Sequence, residues 1–176
     1  MNGSRAYYAG VEPVEVGNLE EIKEERQYIP ATKNVRLKIR KAEIRVNQEN
    51  TYRQINLQLQ LTQGIGEENK YKNKVIFTRV CYYADPNVYT SDFFVKRQHL
   101  VLLKQLARAT GIDLSTIDGH TPELLEQSAE IMGNIIVTKR QAIIEGQPVV
   151  DESGKPVYNF DNEVRQFQAV PSEMQV

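Results

Sequence analysis

Cations stand at alternate positions early in this chain. Arg36, Lys38 and Arg40 interleave with Val35, Leu37 and Ile39, and Lys41 and Arg45 follow on the other phase. Residues two apart repeat every ~6.6 Å along a β-strand, close to the phosphate spacing of an extended single nucleic-acid strand. The next segment presents Gln54, Asn56, Gln58 and Gln60 at alternate positions, amides that both donate and accept without committing to one base. Tyr52 and Arg53 open that segment. Lys70, Lys72, Lys74 and Arg79 follow it, interleaved with Tyr71, Phe77, Tyr82 and Tyr83, and Lys96 and Arg97 come near a helix start. Cations that track phosphates, together with flat rings on which bases stack, are what sequence-tolerant single-strand binding requires. The candidate DNA-binding set is thus Arg36, Lys38, Arg40, Lys41, Arg45, Tyr52, Arg53, Gln58, Lys70, Tyr71, Lys72, Lys74, Arg79, Tyr82, Lys96 and Arg97.

Each part has a plainer reading. Rings in strands usually pack in the core or across strands, which is as good an account of Phe77 and Tyr82. A Gln/Asn row is often a solvated face. Lys96 and Arg97 sit where a helix dipole does not favour cations.

The charge distribution favours the functional reading. The chain of 176 residues has a formal net charge of −1, but the segments differ. Residues 33–108 hold 15 Lys and Arg against six Asp and Glu, a net of +9, between ends of −3 (residues 1–32) and −7 (residues 109–176). Clustering of one sign in half a domain marks a field suited to a polyanion.

Catalysis finds little to build on. His99 and His120 have no spacing that pairs them with a nucleophile or a metal, and both read as surface residues. The single cysteine, Cys81, reads as a buried inert thiol and excludes a disulfide framework. Gly64-Ile65-Gly66 lacks the rest of any phosphate-binding fingerprint. No enzyme activity, cofactor or metal is expected. No run approaches the roughly 18 apolar residues that span a bilayer, and the N-terminus has no signal-peptide core, so a reducing, cytoplasmic compartment and no membrane are expected.

The elements that must position these residues are mostly strands. Val35–Val46 alternates with period two, then slips by one residue, which marks a β-bulge. Tyr52–Thr62 points Ile55, Leu57, Leu59 and Leu61 one way. A third strand spans about Lys74–Tyr83, apolar in places on both faces. Asp92 reads as the cap of one helix, Phe93–Thr110, ended by Gly111. Thr121-Pro122-Glu123 begins a second, with Thr121 as cap, that runs to about Gly133. Strand character returns over Asn134–Glu145, then a hairpin turning at Asp151–Gly154, then a last strand over Glu163–Val170 with Val164 and Phe167 inward.

Three strands, a helical insert and two more strands make a mainly β chain with the order of the five-stranded OB-fold barrel, the helix lying between strands three and four. A generic α+β sheet with a helical cover is the alternative. Residues 1–27 read as an acidic, partly disordered arm, 28–170 as a single OB-fold domain, and 171–176 as a short tail.

Tyr28-Ile29-Pro30-Ala31 leading into Val35–Ile39 and Lys41–Ile44 resembles the opening of small phage-encoded OB-fold proteins that bind single-stranded DNA or assist recombination. The resemblance continues through Asn73–Phe77, Ala109–Ile112, Gly133-Asn134 and Asn162–Phe167 in short motifs. It departs at Thr32-Lys33-Asn34, where a glycine turn is usual, and at the tail, whose only acid is Glu173. The resemblance implies single-stranded DNA as ligand during phage replication or recombination in the host cytoplasm. Replication or recombination proteins are candidate partners and a homo-oligomer is a candidate assembly. A protein-interaction or virion-assembly module on the same barrel is the competing expectation.

Overall fold

The phase slip in the first apolar run is a β-bulge. The computed structural model describes residues 28–174 together with Glu15, Gly17 and Asn18; the arm expected over residues 1–27 otherwise lies outside the described residues. Strand β1 spans Thr32–Val46 and β2 spans Tyr52–Leu61. Their ladder pairs Ile39 with Leu59 and then Lys41 with Gln58, so Arg40 is the extra residue. Val35, Leu37 and Ile39 are buried before it and Ala42 after it.

Strand β1 is shared between two partners, with the change at Leu37, before the bulge. It pairs with β4, Ile131–Gln141, only over Thr32–Leu37, and with β2 from Leu37 to Val46. Beyond Leu37 its open edge is met by helix α3, Thr121–Gln127. There Glu126 Oε1 accepts the Ala42 N–H at 2.9 Å, satisfying a donor that would otherwise need a neighbouring strand.

Five antiparallel strands run in the order β3-β2-β1-β4-β7, with β3 at Val75–Ala84 and β7 at Tyr158–Ala169. One core takes in Ile76 and Val80 from one edge and Val164 and Phe167 from the other, closed over by Leu103 and Leu106 of α2 (Val101–Thr110) and Leu125 of α3. Ile55, Leu57, Leu59 and Leu61 of β2 are at most 1% exposed, each worth about 1.5–3 kcal/mol of burial. The sheet is not closed into a barrel: β3 and β7 are its two edges. They touch where Thr78 Oγ1 accepts the Val164 N–H.

Several boundaries differ from the sequence reading, each for a local reason. The first helix is broken. Helix α1 covers only Asp92–Val95, and a 3-10 turn at Gln98–Leu100 leads into α2. Arg97 between them has φ 57°, a left-handed conformation no helix interior accommodates. Ser91, not Asp92, holds the N-cap position, and Asp92 pairs with Lys96 at 3.3 Å. Gly111 does end α2, at φ 71°.

His120 takes the cap position of α3, and Thr121 is its first residue, with its hydroxyl accepting the Asp118 N–H at 3.0 Å. The helix stops at Gln127. Gly133 therefore lies inside β4, not at a helix end. A Cβ there would meet Val164 Cγ1 at 2.5 Å, so the glycine serves the close approach of β7.

Beyond β4, Ile143–Ile144 (β5) and Gln147–Pro148 (β6) form a small hairpin. The expected turn at Asp151–Gly154 is present. Asp151 Oδ1 accepts the N–H groups of Ser153 and Lys155, both at 2.9 Å.

Candidate nucleic-acid interface

Alternation along three strands builds the floor of a groove of about 790 Å³. The bulge shifts the outward residues of β1 to Lys41, Glu43 and Arg45; β2 contributes Asn56 and Gln58, and β3 contributes Phe77 and Arg79. Cross-strand register sets these in rows. Lys41 lies opposite Gln58, which lies opposite Phe77; Glu43 lies opposite Asn56, which lies opposite Arg79. Neighbouring strands are about 4.8 Å apart, so each row is a short, flat strip. Ile76 and Thr78 turn into the core and Phe77 turns out, where it is 67% exposed.

The facing wall comes from β7, the end of β4 and the chain entering β1. Asn162 on β7 accepts the Ile29 N–H and donates to the Ile29 carbonyl, both at 2.7 Å. That clamp places the Tyr28 ring against Phe160, with centroids 5.5 Å apart and planes 29° from parallel. The two rings remain 46% and 40% exposed.

Among the described residues, five cations and three acids line the groove. Glu43 pairs with Arg45 at 3.0 Å and Glu163 with Arg140 at 3.3 Å. Among the described residues, no carboxylate lies within ion-pair distance of Lys41 or Arg79. The field of the groove therefore remains positive beside exposed rings.

Of the candidate DNA-binding set, the structure brings together Lys41, Arg45, Gln58, Lys74 and Arg79, beside Asn56 and Phe77 of the same strands. The cations before and at the bulge go elsewhere. Arg36 meets Glu130 at 3.5 Å with its side chain only 15% exposed, Lys38 Nζ donates to the Ser128 carbonyl, and Arg40 Nε donates to Gln60 Oε1. Pairing of β1 with β4, and the Ser128–Glu130 link between α3 and β4, give that half of the strand a packing role.

Lys70 pairs with Glu68 at 3.1 Å in the β2–β3 connection, and Lys72 is exposed there. Tyr71 packs against the core beneath Lys74 Nζ, 5.6 Å from its ring centre. Tyr82 keeps the inward phase of Ile76, Thr78 and Val80 and packs on the core side, where the β2–β3 register shifts at Arg53/Gln54. There it lines a second cavity of about 340 Å³ with Arg97 and Leu103. Lys96 is held by Asp92.

Tyr52 and Arg53 sit at the far end of β2. Arg53 lies 5.4 Å over the Tyr83 ring and bonds Asn50. Tyr52 joins a chain of rings, 5.6 Å from Tyr89, which is 4.8 Å from Phe94, with His99 a further 5.2 Å on. His99 is accordingly half-buried rather than a surface residue, and burial, followed by the Arg97 charge, holds its pKa down; His120 is exposed. Cys81 is half-buried on the outward side of β3, not in the core. Burial pushes its thiol up, and burial followed by the hydrogen bond to Cys81 pushes the Tyr52 hydroxyl up.

Sequence reasoning missed Tyr28, Arg140 and Phe160, and left Phe77 undecided. The alternation of Ile76, Thr78 and Val80 was the available signal for Phe77. The others depend on how β7 meets β3, for which no local pattern exists.

No helix among the described residues is long and apolar enough to cross a membrane. No protein-family model matches the chain, and no curated protein matches it either. The groove's geometry must carry the functional reading.

Proposed function

We propose that the protein is a sequence-tolerant, non-enzymatic single-stranded DNA-binding protein, and that the strand lies along the groove between β1–β3 and β7. The observation that carries this reading is the row Lys41–Gln58–Phe77, a cation, an amide and a 67% exposed ring on adjacent strands, beside the row that ends in Arg79. Phosphates would track Lys41, Arg45, Lys74 and Arg79, while bases stack on Phe77 and on the Tyr28–Phe160 pair. Amides at Asn56 and Gln58 tolerate any base edge. A duplex offers its bases only as groove edges, so exposed rings favour an unpaired strand.

The strand order and helical insert suit an incompletely closed OB-type barrel. With the sequence resemblance, they favour a role in phage DNA replication or recombination in the host cytoplasm. The test is fluorescence anisotropy of a labelled oligo-dT across a salt series. Binding that weakens steeply with salt supports the reading, because phosphate contacts release counterions. No binding at low salt rejects it.

One feature favours a protein partner instead. Ile143, Ile144 and Val150, on the hairpin segment beyond β4, are 64%, 65% and 54% exposed. A protein-interaction or assembly module would use that apolar tip and be indifferent to oligonucleotides.

A further inference from the structure

Tyr82 leaves β3 on the side opposite Phe77, so the cavity of about 340 Å³ that it lines is separate from the groove. That volume lies at the lower end of the ~300–1,000 Å³ of small-ligand sites. Its interior is apolar. Leu100, Leu103 and Ala107 come from the helical run that ends in α2, Leu114 and Ile117 from the loop after Gly111, and Tyr82 closes the remaining side. Leu103 and Leu114 belong to the core and the other four pack against it. The walls are therefore held in place by the fold itself.

The mouth is cationic. The polar lining residues, Arg97, Lys104, Asp113 and Ser115, are all exposed. Among the described residues, no carboxylate lies within ion-pair distance of Arg97 or Lys104. Asp113 Oδ1 instead accepts the Ser115 N–H at 2.9 Å, within its own turn. Two cations against one acid leave this mouth at +1. Both cations stand at the start of the helical run, where the dipole favours an anion, and the first turn of α2 contains no acid. Arg97 keeps its place at φ 57°, a left-handed conformation that only glycine adopts without steric cost. Backbone strain of this kind is characteristic of ligand clamps.

We propose that this cavity binds a small amphipathic monoanion, with its apolar body between Leu103, Ala107 and Tyr82 and its acid group at Arg97 and Lys104. A nucleotide fits poorly, because its phosphate exceeds the charge of the mouth and its sugar would lie against side chains that offer no hydrogen bonds. The ligand class is a medium-chain carboxylate. The site does not depend on what the groove binds.

The test is an NMR titration of the full chain with octanoate, using octanol and octylamine as neutral and cationic controls of the same length. Octanoate should move the amide signals of residues 113–117 saturably and bind at least several-fold more tightly than octanol, with octylamine weakest. Equal binding of octanoate and octanol, or shifts that do not saturate, overturns the proposal. Arg97→Gly removes one cation and suits the backbone at that position. It should bring octanoate binding close to that of octanol, with a thermal unfolding midpoint at or above that of wild type. Lys104→Gln, at an exposed position on α2, should weaken octanoate binding in the same way. Undiminished octanoate binding by either variant overturns the proposal.

Discussion

The Thr78 hydroxyl accepts the Val164 N–H at 2.9 Å, and this bond joins the two edges of the sheet inside the core. Thr78 is 2% and Val164 0% exposed. Thr78 lies between Phe77 and Arg79, while Val164 follows Glu163, so the bond also ties the groove's floor to its wall. Thr78→Val keeps the shape and removes the acceptor, leaving a buried N–H unsatisfied. The expected cost is about 1–3 kcal/mol, read as a lower urea midpoint at unchanged m-value. An unchanged midpoint would show that the edges are held by packing alone.

Phe77→Ala should separate binding from folding. A ring 67% exposed contributes little to the core, so stability should stay within about 0.5 kcal/mol of wild type. Oligo-dT affinity should fall by roughly 1–3 kcal/mol with the salt slope retained, as for the loss of a stacking platform. Unaltered affinity in the anisotropy titration would remove Phe77 from the site.

Arg79 and Arg36 should behave oppositely, although both are strand cations. Arg79→Ala should weaken binding and lower the salt slope by about 1, the mark of a lost phosphate contact. Arg36→Ala should leave the slope alone and cost about 1 kcal/mol of stability, because Arg36 meets Glu130 with its side chain mostly covered. Reversed behaviour would put the binding face on the half of β1 before the bulge.

That contrast marks how far the sequence could be read. The β2 face of Ile55, Leu57, Leu59 and Leu61 was legible because one side of the strand is wholly buried, and the bulge showed itself as a slip of phase. The sorting of Arg36 from Lys41 was not legible, since it depends on β4 and α3, about a hundred residues away in the chain. Gly133 resembled a helix end because nothing local reveals the approach of Val164. Phe160 and Tyr28 were invisible for a related reason: β7 starts at Tyr158, where the sequence lacks a clean alternation, and the two rings meet only in three dimensions.

Cys81 offers a chemical probe of the same face. Burial raises its thiol pKa, so at any pH below that value less thiolate is present than in an unhindered cysteine, and thiolate is the reactive form. Alkylation by iodoacetamide should therefore be slower than for a small model thiol at pH 8 and rise at higher pH. Bound oligo-dT should slow it further, since Cys81 lies one outward position beyond Arg79 on β3. A reaction as fast as the model thiol would contradict the placement of this side chain.

The most direct test of the groove is a charge reversal at Lys41 and Arg79, for which no carboxylate among the described residues lies within ion-pair distance. Lys41→Glu combined with Arg79→Glu alters outward residues only, so the thermal unfolding midpoint should stay close to wild type. Oligo-dT anisotropy at low salt should then show salt-sensitive binding by the wild-type chain and little or none by the variant. Equal binding by the two proteins, or none by either, would contradict the account.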